Sequence, residues 1–182
     1  MRRMMMAASL ALFASLTACG GMENEQSNEQ VTEELGQSEA LLWTGYTSEE
    51  FPPLQCDSNQ LINGLECSGG YCDNIRVNCT AATSVSHGAS YFTSTFSEEA
   101  TSYRYCGANE WVTGIACYGS RCDNVSLECT AISGRSVGSC YWSSYYTDGS
   151  GPWQAPAGYF VRGAQCRGEY CDDMRFYYCA LL

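Results

Sequence analysis

The chain has 182 residues, 13 of them cysteine, and a formal net charge of −11 at pH 7 with no lysine among its nine basic side chains. Phosphate backbones are held by clustered Lys and Arg, so nucleic acid is not an expected partner. An acidic balance of this kind favours solubility and says nothing about a ligand.

The first element is a leader. Arg2 and Arg3 precede an apolar stretch from Met4 to Leu16 that is too short to cross a bilayer, so residues 1–18 read as a signal peptide. The stretch closes on Leu16-Thr17-Ala18-Cys19, which resembles the lipobox of bacterial lipoproteins. That resemblance implies cleavage before Cys19 and acylation of its thiol, giving the chain a partner in the lipid bilayer, and Gly20 after it implies sorting to the outer membrane or cell surface. The alternative is an ordinary secretory signal cut near the same place. Residues 19–40 follow with Glu23, Glu25, Glu29, Glu33, Glu34 and Glu39 and no basic side chain. Such a segment buries too little apolar surface to offset its ordering entropy and reads as a disordered acidic tether. A short amphipathic helix from Asn28 to Leu42 is the rival reading.

Setting Cys19 aside leaves 12 cysteines in residues 41–182, an even set. In an exported chain this reads as a disulfide framework. Zinc prefers Cys-x2-Cys spacing, whereas this chain has Cys-x4-Cys and one histidine, His87, so no metal site is expected.

The body is built from three copies of one module, 41–88, 89–138 and 139–182. Cys67-Ser-Gly-Gly-Tyr-Cys72-Asp73-Asn74, Cys117-Tyr-Gly-Ser-Arg-Cys122-Asp123-Asn124 and Cys166-Arg-Gly-Glu-Tyr-Cys171-Asp172-Asp173 align at offsets of 50 and 49 residues. Leu61-Ile-Asn-Gly64, Trp111-Val-Thr-Gly114 and Phe160-Val-Arg-Gly163 precede them, and Trp43, Phe92 and Trp142 open the copies as expected core residues. Each copy alternates with period two and none shows helical periodicity, so the body is expected to be all-β. The segment between the cysteines of each pair sits at a hairpin tip, where its glycine supplies positive φ. One copy of about 50 residues buries too little core alone, so the three share one.

Spacing also predicts six disulfides. Cys67–Cys72, Cys117–Cys122 and Cys166–Cys171 close the tips, while Cys56–Cys79 and Cys106–Cys129 tie the start of one strand to the end of the next. In the third copy Ala155 stands where Cys56 and Cys106 stand, and Cys179 is one residue further from its tip than Cys79 and Cys129. A shift of one residue reverses the face, which leaves Cys140–Cys179 as the sixth pair. Loop entropy assigns the tip bridges about 2 kcal/mol each and the longer ones about 3 to 4.

Asp73-Asn74-Ile75-Arg76-Val77-Asn78-Cys79 and Asp123-Asn124-Val125-Ser126-Leu127-Glu128-Cys129, with a looser third copy, resemble the vitelline membrane outer layer protein family. The resemblance implies a β-prism, three sheets around a pseudo-threefold axis, a fold shared with some lectins. The β-trefoil is the second architecture. The Cys-x4-Cys tips depart from the family, where longer loops stand.

Two readings attach to the tips. Asp73, Asp123 and Asp172 can bond turn amides. Alternatively, with Asn74, Asn124 and Asp173 and beside Tyr71, Arg121 and Tyr170, they form three equivalent pockets for sugar hydroxyls. Calcium at Asp172 and Asp173 is a third use. Trp153, in a loop particular to the third copy, is the candidate exposed aromatic, and Trp111 the candidate core one. His87 lies in a Ser/Gly-rich linker without a nucleophile motif, so no catalysis and no cofactor are expected. The expected function is a surface-tethered binding module for carbohydrate; the alternative is a structural coat or adhesion protein that contacts a surface protein.

Overall fold

Period-two alternation shapes the body into strands: the computed structural model, which describes residues 42–182, has thirteen of them and no α-helix among the described residues. The expected signal peptide 1–18, the acylated Cys19 and the tether 19–40 lie outside the described residues. In chain order the strands are β1 (Leu42–Trp43), β2 (Leu54–Gln55), β3 (Gln60–Ser68), β4 (Asn74–Ala81), β5 (Ser86–Phe92), β6 (Tyr103–Tyr105) and β7 (Glu110–Tyr118). They continue with β8 (Asn124–Ser133), β9 (Val137–Trp142), β10 (Tyr146–Thr147), β11 (Trp153–Gln154), β12 (Tyr159–Arg167) and β13 (Asp173–Leu181). Three long hairpins, β3–β4, β7–β8 and β12–β13, each carry one sheet. The orders are β1-β4-β3-β11 in the first sheet, β2-β7-β8-β5 in the second and β10-β13-β12-β6 in the third, where β9 also pairs with β13.

Every hairpin receives a short strand from a distant part of the chain. Leu54 and Gln55 pair with Ile115 and Gly114, Tyr105 pairs with Gly163, and Trp153 and Gln154 pair with Leu65 and Gly64. The recurring glycines make this possible. A Cβ at Gly64, Gly114 or Gly163 would stand 2.8 Å from the Trp153 carbonyl oxygen, 2.7 Å from that of Leu54 or 2.6 Å from that of Arg104. The residue before each glycine is a β-bulge, marked by the register shifts at 62/64, 112/114 and 161/163. Its freed carbonyl accepts the N–H just beyond the incoming strand: Ala155 to Asn63, Cys56 to Thr113 and Cys106 to Arg162, each at 2.8 Å. The motif seen as apolar-apolar-x-Gly is thus a docking slot for a foreign strand.

The inner faces of all three hairpins meet in one core. Ile62, Leu65, Ile75 and Val77 pack there with Val112, Ile115, Val125 and Leu127 and with Val161, Ala164, Met174 and Phe176. A second cluster gathers Leu61, Trp111, Phe160 and Cys179. Trp111 is buried as expected, but Trp43 and Trp142 are only half-buried and Phe92 is exposed. These three lie on outer strands, so their recurrence reflects cover over sheet faces rather than a shared core.

Five disulfides form: Cys56–Cys79, Cys106–Cys129, Cys117–Cys122, Cys140–Cys179 and Cys166–Cys171. The sixth expected bridge, Cys67–Cys72, is not formed; both residues are buried thiols. The two stand as a near pair, with the Cys72 sulfur 3.0 Å from the Asp172 carbonyl oxygen. The neighbouring Cys72 sulfur, then burial, pushes the Cys67 thiol well above the ordinary cysteine range. In the third hairpin Tyr178 faces Val161 as Cys79 faces Ile62 and Cys129 faces Val112. Cys179, one residue on, has moved into the second cluster, where it faces Cys140 on the neighbouring strand β9.

Candidate functional site

The tips do not stand apart as three pockets. The three 3-10 turns that close the hairpins, Gly70–Cys72, Ser120–Cys122 and Glu169–Cys171, touch one another at one end of the molecule. Tyr71 and Tyr170 meet edge to face at 5.4 Å between centroids, and the Arg121 guanidinium lies over both rings, at 4.5 and 5.3 Å. Glu49 and Glu98 accept the backbone N–H groups of Arg121 and Tyr170 at 3.1 and 2.9 Å. The three residues expected to serve separate sites therefore form one packed cap.

The tip aspartates lie against the glycines that open the turns. Gly69 and Gly168 have φ of 79° and 81°, and a Cβ on either would fall 1.9 or 1.8 Å from an oxygen of Asp73 or Asp172. Each carboxylate thus occupies the space its glycine leaves. Asn74 donates to Asp73 at 2.6 Å and Asn124 to Asp123 at 3.2 Å, while Asp173 is paired with Arg167 at 2.9 Å. Burial, reinforced by Glu98 and Glu99, raises the Asp123 carboxyl, and burial with Asp173 raises that of Asp172. Oδ1 of Asp123 and Oδ1 of Asp172 are buried without a hydrogen-bond partner among the described residues. The one metal-like cluster among the described residues, Glu98 with Cys166 and Cys171, has its two sulfurs bonded to each other, which removes the thiolates a metal would need.

Trp153 is also placed differently from expectation. It is 7 % exposed, pairs with β3 as a guest strand and stacks on Phe176 at 4.9 Å. His87 lies on β5 and is half-buried, not in a linker; burial lowers its imidazole despite the opposing field of Glu128.

Besides a small cavity at the strand ends around Ala82, Gly158 and Leu181, concave surfaces lie on the sheet faces turned away from the core. On the third sheet a row runs across four strands: Tyr105 on β6 faces Gly163 on β12, which faces Tyr177 on β13, which faces Trp142 on β9. Tyr105 lies 5.1 Å from Tyr177 and 5.7 Å from Trp142, and Tyr103 extends the group at 5.2 Å from Tyr105. Tyr105, Trp142 and Tyr177, together with Cys106 and Arg162, line a hollow of about 340 Å³. Arg162 is fixed there by donation from its Nε to the Glu110 carbonyl oxygen at 2.9 Å, and burial raises the Tyr105 phenol. Arg175 flanks the row, stacked between Trp142 at 4.6 Å and Tyr145 at 4.9 Å.

The same place on the second sheet has opposite chemistry. Gly114 faces Gln55 and Glu128, and the buried Glu128 carboxylate accepts from Gln55 at 2.8 Å and Thr113 at 3.3 Å beside a hollow of about 280 Å³. On the first sheet Gly64 faces Gln154 and Asn78. Only the third sheet fills these positions with tyrosine, and sequence reasoning missed the site because its members come from four separate stretches of chain. The available signal was Tyr105 and Tyr177 standing where the other two sheets place Gln and Asn or Glu. Comparison with protein-family models, with curated proteins and with solved structures finds no match for this chain.

Proposed function

We propose that the chain is a lipid-anchored extracytoplasmic binding module for carbohydrate, and that its site is the aromatic hollow on the third sheet. The observation that carries this reading is the Tyr105, Tyr177 and Trp142 row over Gly163, an open aromatic surface rimmed by arginine side chains. Sugar rings present apolar C–H faces and a rim of hydroxyls, so ring faces and a few fixed polar groups are what their recognition requires. Tyrosine offers both in one rigid side chain. We further read the cyclic strand exchange and shared core as a β-prism of three repeats, the architecture implied by the likeness to the vitelline membrane outer layer family; the three docking slots support it. The anchor would be Cys19, and mass spectrometry of the membrane-extracted chain should find it acylated.

A glycan array probed with the full chain in detergent tests the function. Retention that is lost in Tyr105→Ala and Trp142→Ala, with circular dichroism unchanged, supports it. Equal retention by both variants places the site elsewhere, and a folded wild type that retains no glycan favours the structural-coat alternative.

A further inference from the structure

The third-sheet hollow, if it is the carbohydrate site proposed above, has a charge that its counterpart on the first sheet lacks. Both sheets carry an arginine sandwiched between a tryptophan and a tyrosine. On the first, the Arg76 guanidinium lies 5.0 Å from both Trp43 and Tyr46, and its side chain is neutralised by Glu66, the residue paired with it across the hairpin. On the third, Arg175 is held in the same way against Trp142 and Tyr145, but the paired residue is Gln165. Its amide oxygen accepts from Arg175 Nε at 2.9 Å and from Nη2 at 2.7 Å. Gln165 thus reproduces the geometry of Glu66 and omits its charge.

No carboxylate lines the hollow or stands in ion-pair contact with its arginines, although Glu110 acts on Arg162 from further off. Arg162, which lines the hollow itself while Arg175 flanks it against Trp142, donates to backbone carbonyls of Glu110 and Gly107 and not to a carboxylate. Among the described residues the carboxylate pairs within 4.0 Å are Arg76 with Glu66 and Arg167 with Asp173, so neither Arg162 nor Arg175 has one. No acidic side chain lines the hollow, in a chain where acids outnumber bases by more than two to one. The second sheet provides the contrast, with Glu128 in the corresponding position and no arginine lining its hollow.

We infer that the third-sheet hollow selects an anionic polysaccharide, one whose sugars carry carboxylate or sulfate groups. An aromatic face takes the ring while the two guanidinium groups, already oriented by stacking and by backbone carbonyls, take the charge. Preorganisation matters here because the chain as a whole is acidic and repels such a ligand at long range; selection must come from the contact itself.

Affinity electrophoresis of the full chain in detergent, through gels containing polygalacturonate, chondroitin sulfate or the neutral glucan laminarin, tests this. The expected result is retardation by one or both charged polymers and not by laminarin, the carboxylate and sulfate arms naming the group preferred. Gln165→Glu, which installs the arrangement the first sheet already accommodates, should weaken retardation about tenfold or more, since a carboxylate would then face the ligand's own charge. Glu66→Gln on the first sheet should leave it unchanged. Stronger retardation by laminarin, or equal responses to the two variants, overturns the anionic selection while leaving a carbohydrate site standing. Failure of all three polymers together with an empty glycan array removes the carbohydrate reading itself.

Discussion

Trp153 stacks on Phe176 with ring centroids 4.9 Å apart and planes inclined by 27°, and this contact closes the one junction between sheets that has no disulfide. At the other two junctions, Cys56 and Cys106 follow a guest strand and are bonded back to Cys79 and Cys129. At the third, Ala155 and Tyr178 take those positions, and Trp153 also approaches Tyr178 at 5.5 Å. An aromatic cluster stands where a bridge is missing.

Trp153→Ala should therefore destabilise the fold by about 3 to 5 kcal/mol, the usual cost of emptying a large aromatic site in a core. Denaturant unfolding under non-reducing conditions checks it. A loss below about 1 kcal/mol would show that the junction is held by its backbone pairing alone.

Gly163→Ala tests the docking slot. The added methyl would lie 2.6 Å from the Arg104 carbonyl oxygen and 2.7 Å from a ring carbon of Tyr105, and a backbone oxygen in a pairing strand cannot step aside. Overpacking of this kind costs about 1 to 3 kcal/mol. Because β6 carries Tyr103 and Tyr105, glycan retention should fall together with the unfolding midpoint. Gly45→Ala, at a glycine whose Cβ would meet nothing within 4 Å, should change neither.

The fold class was legible because it depends on local pattern. Period-two alternation, glycines at the tips and cysteine spacing are written within a few residues of where they act, and the one-residue displacement of Cys179 was enough to assign its partner. What escaped depends on pairs far apart in the chain. Trp153 sits in a Gly- and Pro-rich stretch that locally resembles an exposed loop, and only Leu65, its partner 88 residues earlier, makes it a buried strand. The contrast between Glu66 and Gln165 is likewise silent until the register shows that each faces an arginine. Nothing in the Cys-x4-Cys spacing announces that the three tips will pack on one another.

The tip aspartates predict a specific pH response. Asp123 and Asp172 have carboxyl groups raised above the ordinary value, chiefly by burial, so the folded state holds their protons more tightly than the unfolded chain does. The stability this provides is fully present below the unfolded value near 3.8 and is lost as pH rises through the raised folded values. The double variant Asp123→Asn, Asp172→Asn removes that titration while keeping turn chemistry. Its urea midpoint relative to wild type should rise between pH 3 and pH 6, and its glycan retention should be unchanged because the hollow lies on a sheet face. A relative midpoint that falls over the same range would mean the carboxylates are held as anions by the turn.

Arg121 allows two opposing effects to be separated. Its guanidinium lies over the exposed Tyr71 and the half-buried Tyr170, an interaction of about 0.5 to 1 kcal/mol at a site this open to solvent. Its backbone has φ 59° and ψ 41°, a left-handed conformation that costs a side chain with a Cβ about 1 to 2 kcal/mol and glycine nothing. Arg121→Ala loses the stacking and keeps the strain, so it should destabilise by about 1 kcal/mol. Arg121→Gly loses the same stacking but relieves the strain; its greater unfolded-state entropy offsets part of that relief, by about 0.4 to 1 kcal/mol. The glycine variant should therefore unfold later than the alanine variant and close to wild type. Thermal unfolding of the three proteins side by side decides the order. A glycine variant less stable than the alanine one would show that the left-handed turn is imposed by the packing of the three tips without strain, and that the cap is held by the arginine alone.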